Sequence, residues 1–119
     1  MVRYSTIITW EWLAGFYEGE GTCGCYKYKQ NTCYRLSMII VQKQKEILNK
    51  IKRFIKCGSI IRTFKNDQFG KRHCYQFMLQ CAKARWFLNK ILPYCRSKYK
   101  INQILKALTL DKKYVNIRK

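Results

Sequence analysis

The chain has 119 residues, 48% of them hydrophobic, which is enough for one well-packed core and excludes a disordered chain, so we expect a single domain over residues 1–119. Its 25 lysine and arginine residues oppose six acids, for a net charge of +19. Self-repulsion of this size opposes compaction and indicates a polyanionic partner, best matched by nucleic-acid phosphates. We expect no membrane partner, because the basic residues recur along the whole chain and no apolar run reaches about 18 residues.

Seven cysteines raise the question of a metal site or disulfides. Their spacing contains no C-x-x-C pair and the chain has one histidine, so we do not expect a structural zinc site. The number is odd and the N-terminus does not resemble a secretory signal. We therefore expect reduced thiols that serve as small core residues.

Residues 9–20 predict the first helix, with Thr9 as N-cap and Gly21 directly after the last turn. A helix that is apolar nearly all round needs both faces covered. We expect one face to pack on the chain's own sheet and the other to need a partner. The first face carries Trp10, Leu13, Ala14 and Tyr17, and the second carries Trp12, Gly15, Phe16 and Gly19.

From residue 22 to residue 41 the apolar period changes to two, which predicts a hairpin with strands on either side of a turn at 30–32. Residues 44–56 return to helical spacing, and Gly58 follows as a stop signal. The inward residues of the second strand are predicted to be Tyr34, Leu36, Met38 and Ile40.

A second hairpin is predicted over 59–65 and 72–80, with Tyr75, Phe77 and Leu79 as its inward residues. A third helix over 82–92 ends at Pro93, a fourth runs over about 97–108, and the basic tail, 111–119, is expected to be frayed. The order α-β-β-α-β-β-α-α indicates an α/β (α+β) domain whose antiparallel sheet carries its helices on one face.

The other sheet face is predicted to present hydrogen-bonding and aromatic groups without an acid. Taken singly, each residue also fits a plain solvated surface, but together these groups suit the reading of base edges in a major groove. The alternation assigns to this face Gly24, Tyr26, Tyr28 and Gln30 from the first strand, Arg35 and Ser37 from the second, Ser59, Ile61, Thr63 and Lys65 from the third, and Arg72, Cys74, Gln76 and Met78 from the fourth.

Two of the six acids, Glu18 and Glu20, lie at the C-terminal end of the first helix. The helix dipole disfavours a carboxylate there by about 0.3–1 kcal/mol, and a bound cation is a natural compensation. Glu20 lies beside Gly19 on the face that needs a partner, whereas Glu18 points elsewhere. On the residues alone, two ordinary solvated acids remain the alternative.

The string LAGFYEGEG, residues 13–21, resembles the LAGLIDADG motif of homing endonucleases at all nine positions. The differences are an aromatic pair for aliphatic residues, glycine for the second alanine, and glutamate for each aspartate. Because Gly15 and Gly19 fall on one stripe, two such helices can approach backbone to backbone. Four positions match outright, namely Leu13, Ala14, Gly15 and Gly21.

The resemblance covers most of residues 9–108 and is greatest to the single-motif, homodimeric branch encoded in group I introns. It implies an αββαββα fold with a saddle-like DNA-binding sheet. It also implies a site-specific double-stranded DNA endonuclease that hydrolyses phosphodiesters with divalent metal and, as a homodimer, takes a pseudo-palindromic target. The dimer interface would contain Trp12, Gly15, Phe16 and Gly19.

The resemblance also implies roles for single residues. In that family the last acid of the motif binds Mg²⁺ (Mn²⁺ is a substitute) and a neighbouring carbonyl also coordinates metal, which maps onto Glu20 and Gly19. A glutamine at the end of the second strand holds water, which maps onto Gln42, with Gln44 as second choice. A basic residue after a Pro-aromatic pair lies near the cleaved phosphates, which maps onto Lys98 in the string PYCRSK.

Two further functions fit the same sequence: a maturase that helps a host intron RNA to fold, and a catalytically inactive DNA-binding protein. Glu20 and Gln42 favour cutting, because an RNA chaperone needs neither. A composition rich in Lys, Ile, Asn and Tyr is typical of AT-rich genomes. We therefore expect an organelle, chloroplast or mitochondrion, with a phage or viral origin as the alternative.

Overall fold

The computed structural model describes residues 7–27, 34–67 and 70–117, and their side chains at 7–27, 34–63 and 73–114. The predicted element order and the α+β fold class are confirmed. No helix of the described part is both long and apolar enough to cross a membrane. The elements are α1 (Trp10–Glu20), β1 (Gly21–Lys27), β2 (Tyr34–Gln42), α2 (Lys45–Ile55), β3 (Ser59–Asp67), β4 (Gly70–Gln80), α3 (Ala82–Ile91), a single 3₁₀ turn (Leu92–Tyr94) and α4 (Lys98–Ile117).

The strands form an antiparallel sheet in the order β1-β2-β4-β3. Met38 on β2 pairs with Cys23 on one side and with Leu79 on the other, so these three side chains share a face. All three are buried in the core that the helices cover, and the predicted alternation on β2 and β4 is thereby confirmed. The helices contribute to this core Leu13, Ala14, Tyr17, Leu48, Ile51, Ile55, Ala84, Phe87, Leu88, Ile91, Ile104 and Ala107.

Helix α4 is longer than predicted, and the expectation of a frayed tail was wrong for residues 111–117, since the helix continues to Ile117. Residues 118 and 119 lie outside the described part of the chain. Two contacts hold its second half. The buried carboxylate of Asp111 accepts two hydrogen bonds from Arg85 on α3, one from Nε at 2.6 Å and one from Nη2 at 3.2 Å. The ring of Tyr114 stacks on Tyr34 of β2 with centroids 3.7 Å apart. Both partners are distant in sequence, so local periodicity does not reveal them.

The second hairpin is also longer than predicted. Asn66 pairs with Lys71 and Asp67 with Gly70, where the predicted strands ended at residue 65 and began again at residue 72. Backbone pairing requires no apolar side chain, which is why the alternation stopped earlier. The predicted turn of the first hairpin, 30–32, lies outside the described residues.

Among the described cysteines, Cys23 is a buried thiol of the core, as predicted. Cys57, Cys74, Cys81 and Cys95 are free thiols that are only partly buried.

The Arg85–Asp111 pair predicts a stability effect. Asp111→Asn removes the charge that two guanidinium nitrogens bind, so we expect the free energy of unfolding to fall by about 1.5–3 kcal/mol, the range for a hydrogen bond to a charged group. Urea denaturation measures the change, with Asn102→Ala, an exposed position on the same helix, as control. Equal denaturation midpoints for wild type and Asp111→Asn would contradict the account.

Candidate active site

Helix α1 divides into two faces, as predicted. Thr9 caps its N-terminus by accepting a 3.0 Å hydrogen bond from the backbone N–H of Trp12. The inward face is fully buried at Leu13, Ala14 and Tyr17. The half-buried Trp10 packs edge-on against one aromatic ring of α2 and one of α3. This face provides the contact between the helix and its own domain.

The second face of α1 is open in the protomer. Gly15 and Gly19 are exposed, and a Cβ atom added at either would meet no atom within 4 Å. Beside them the rings of Trp12 and Phe16 stack at 5.0 Å with an interplanar angle of 10°. The four residues predicted for a dimer interface therefore form one strip, which we call the glycine face: Trp12, Gly15, Phe16 and Gly19.

Glu18 points toward the segment before α4 and binds backbone N–H groups there. Its carboxylate oxygens lie 3.1 and 3.0 Å from the backbone nitrogen of Arg96, and one of them also accepts from the backbone N–H of Ser97. Ser97 in turn accepts from the N–H of Ile101, 2.9 Å away, and so stands at the start of α4. The first acid of the motif thus ties the end of α1 to the beginning of α4.

Lys100 makes a second link between the same two helices. Its ammonium donates to the carbonyl of Gly21 and lies 5.8 Å from the ring centroid of Tyr17. Sequence analysis missed this residue. A usable signal was present, because the helix dipole disfavours a cation in the first turn of a helix unless another group binds it.

Gly21 ends α1 for a reason other than the one predicted. Its φ is −98° and its ψ is 163°, an extended conformation that any residue adopts. A Cβ atom here would instead collide with the ring of Tyr17. The glycine is needed because β1 begins directly against the buried aromatic ring.

Three groups near the junction of α1, β1 and α4 are unsuited to proton transfer at neutral pH. Burial raises the pKa of Tyr17 far above its ordinary value, and the neighbouring Cys23 thiol adds to the effect. Burial also raises the pKa of Cys23. Burial and then the charge of Glu18 raise the pKa of Cys95 to about 11. All three stay protonated at neutral pH, so we exclude them as general bases.

Strand pairing and the hydrogen bonds of Glu18 bring together, at one corner of the domain, the backbone segments that carry the predicted catalytic residues. Gly21 pairs with Ile40, so Gln42, two residues further along β2, lies beside the last turn of α1 that carries Glu20. Lys98 opens α4 directly after the segment that Glu18 binds. Glu20 and Lys98 are exposed and Gln42 is half-buried. The second choice, Gln44, lies beyond the end of β2 and is exposed.

The donor set at this corner suits a hard cation. Among the described side chains, no three His, Cys, Asp or Glu residues gather into a metal-binding group. One protomer offers the exposed carboxylate of Glu20 and the carbonyl oxygens of the last turn of α1, such as that of Gly19, where helices lack internal donors. Mg²⁺ commonly binds one or two carboxylates together with phosphate oxygens and water, so these donors fit an ion shared with other groups.

The predicted base-reading residues that the structure describes share one sheet face. Tyr26 pairs with Arg35, and Thr63 with Cys74, all on the side away from the helices. Tyr26 and Ile61 are 54% and 47% exposed, whereas Ser37 is buried in the middle of the sheet.

Some members of this set are only partly described. Tyr28 and Gln30 lie outside the described residues, and Lys65 and Arg72 are described as a backbone pair without side chains. Gly24 lies beneath the ring of Tyr26, which occupies the space a Cβ would need. We call the fully described set the sheet face: Gly24, Tyr26, Arg35, Ser37, Ser59, Ile61, Thr63, Cys74, Gln76 and Met78.

Comparison with known proteins gives a consistent result. The family model described as LAGLIDADG endonuclease matches residues 13–108. No curated protein matches the chain in sequence.

Solved structures resemble the chain over most of its length. An archaeal intron-encoded homing endonuclease, I-Vdi141I, complexed with DNA, superposes with a TM-score of 0.69 at 22% identity over 90% of this chain and 69% of its own. The LAGLIDADG homing endonuclease I-GzeII, in complex with its DNA target, gives 0.71 at 20% identity over 99% and 40%. The meganuclease I-CpaMI, bound to uncleaved DNA, gives 0.68 at 19% identity over 93% and 39%. The chain thus spans about two fifths of the last two proteins, and at these identities the likeness shows a shared fold.

Proposed function

The chain belongs to the LAGLIDADG endonuclease family, and from that membership we propose that it cuts double-stranded DNA at a specific site, as a homodimer and with Mg²⁺. The observation that carries the proposal is the exposed Glu20 at the end of the uncovered glycine face. Composition supports an organellar genome as its source, with a phage or virus as the alternative.

The glycine face supports the homodimer. Gly15 and Gly19 leave room for a second backbone, and the stacked rings of Trp12 and Phe16 supply apolar area beside them. In a twofold dimer the same strip from each protomer covers the other. The two copies of Glu20 then meet near the axis, and a divalent cation offsets their repulsion.

Charge and shape support DNA as the partner. The described sheet face contains no acid, and the whole chain carries +19. An antiparallel ribbon fits the major groove, where polar side chains such as Arg35 and Gln76 reach base edges. Two identical protomers take a pseudo-palindromic target.

The proposed chemistry divides among few residues. Glu20 and the carbonyl of Gly19 would hold Mg²⁺, with Mn²⁺ as a substitute, and the ion would supply Lewis acidity for the activation of water and the stabilisation of the departing oxygen. Lys98 stabilises negative charge on the phosphate through its ammonium. Gln42 positions water by hydrogen bonding, since an amide takes up no proton at neutral pH.

The metal site predicts a separation of cleavage from binding. Glu20→Gln keeps the shape of the side chain and removes its charge, so we expect Mg²⁺-dependent cleavage to fall by at least about 100-fold, the upper range for losing a group that merely supports a metal ligand. Binding, measured with Ca²⁺ on a duplex selected from a randomised library, should stay within about threefold because phosphate contacts dominate it. Undiminished cleavage by the variant would remove Glu20 from the site.

The dimer predicts a change in mass. The protomer has room for a side chain at position 15, so Gly15→Leu should fold normally yet keep two α1 helices apart. Light scattering should then give the 14.4 kDa protomer in place of twice that mass, with an unchanged circular dichroism spectrum. Asn102→Leu, an exposed position on α4, is the control for added apolar area. A Gly15→Leu variant that remains a dimer would show that the glycine face is not the interface.

A further inference from the structure

The link between Glu18 and the start of α4 joins two parts of the proposed site. The carboxylate accepts hydrogen bonds from two consecutive backbone N–H groups, those of Arg96 and Ser97. These donors directly precede α4 and lie at the positive end of its dipole, where a carboxylate is stabilised. The same carboxylate lies at the negative end of α1, so the α4 donors offset a location that is otherwise unfavourable.

The link lies between Glu20, which the proposed chemistry assigns to the metal, and Lys98, which it assigns to the phosphate. Glu20 is two residues after Glu18 on α1, and Lys98 directly follows Ser97. Lys100, two residues after Lys98, holds the carbonyl of Gly21 on the other side of Glu20. The backbones that carry Glu20 and Lys98 are therefore fastened together at two points.

We infer that Glu18 is a positioning residue that sets the place of Lys98 relative to Glu20. The inference rests on the proposed function, because it assigns Glu18 a part in the same cleavage reaction. It also gives a physical reason for an acid at this position, since both carboxylate oxygens accept hydrogen bonds. In Glu18→Gln one of those acceptors becomes an NH₂ donor that faces N–H groups, and the charge assistance is lost.

A double-mutant cycle tests whether Glu18 acts through Lys98. The variants are Glu18→Gln, Lys98→Met and the combination, and the readouts are the single-turnover cleavage rate at saturating enzyme and the binding constant on the same selected duplex. We expect Glu18→Gln to slow cleavage by about 10–100-fold, the range for groups that orient a reacting residue. Binding should stay within about threefold. Without Lys98 nothing remains to be positioned, so the combined variant should be as slow as Lys98→Met within about threefold.

Asp111→Asn is the matched control, because it also removes a carboxylate that holds α4, at the other half of the helix. Assayed below its melting transition, it should cleave within about threefold of wild type. Should Glu18→Gln fail to fold, Ser97→Pro serves in its place, because it deletes one N–H donor and keeps the carboxylate. Ser97→Ala is its control, because it keeps the N–H and loses only the hydroxyl that accepts from the N–H of Lys100. Ser97→Pro should slow cleavage by the same factor as Glu18→Gln. Combined with Lys98→Met, it should slow cleavage no further than Lys98→Met alone.

The outcomes are distinguishable. A wild-type protein that does not cleave the selected duplex contradicts the proposed function and the inference with it. An active wild type with an undiminished Glu18→Gln overturns the inference alone. Multiplicative losses in the combined variant also overturn it, because they mean that Glu18 acts independently of Lys98. A loss in Asp111→Asn equal to that in Glu18→Gln reduces Glu18 to a general stabiliser of α4 and overturns it as well.

Discussion

The structure depends on a helix that has more apolar surface than its own domain covers. Leu13, Ala14 and Tyr17 of α1 are fully buried against the sheet and α3, while Gly15 and Gly19 on the opposite side remain open. The glycine face combines two positions without a side chain with the rings of Trp12 and Phe16, so it allows close approach and is apolar beyond what exposure to solvent explains. A second copy of the same helix fits both properties, and it is this contact that would bring two carboxylates together.

Each acid whose side chain the structure describes has a location with a physical explanation. Glu11 and Glu46 lie in the first turns of α1 and α2, where helix dipoles favour them. Asp111 pairs with Arg85, and Glu18 binds the amides that open α4. Glu20 differs, since it is exposed in the last turn of α1, where the dipole opposes a negative charge. Its location makes sense when a cation is present.

How well the sequence predicted each element depended on whether the interactions that stabilise it are local or distant in sequence. Alternation on β2 and β4 revealed the buried face because one side of the sheet packs against helices, and Thr9 revealed the start of α1 because its capping bond is local. The length of α4 was missed because its stabilising contacts are made with Arg85 and Tyr34, far away in sequence.

The site was predictable to a different degree. The motif identified Glu20, and its resemblance to a known family supplied Gln42 and Lys98. Strand pairing and the start of α4 place the backbone segments that carry these residues at one corner of the domain. The partners of Glu18 lie 78 and 79 residues away and are backbone groups, so no side-chain pattern indicates them. The same holds for Lys100, whose acceptor is the carbonyl of Gly21. The catalytic roles themselves stay predictions.

A crystal structure of the protein with a selected DNA duplex and Ca²⁺ tests the central claim most directly. We predict a twofold dimer in which the α1 helices cross at Gly15 and Gly19, and in which the Glu20 carboxylates of both protomers contact bound cations between the two DNA strands. A complex with the glycine faces turned to solvent, and with the two Glu20 side chains far apart and away from any cation, would contradict the account.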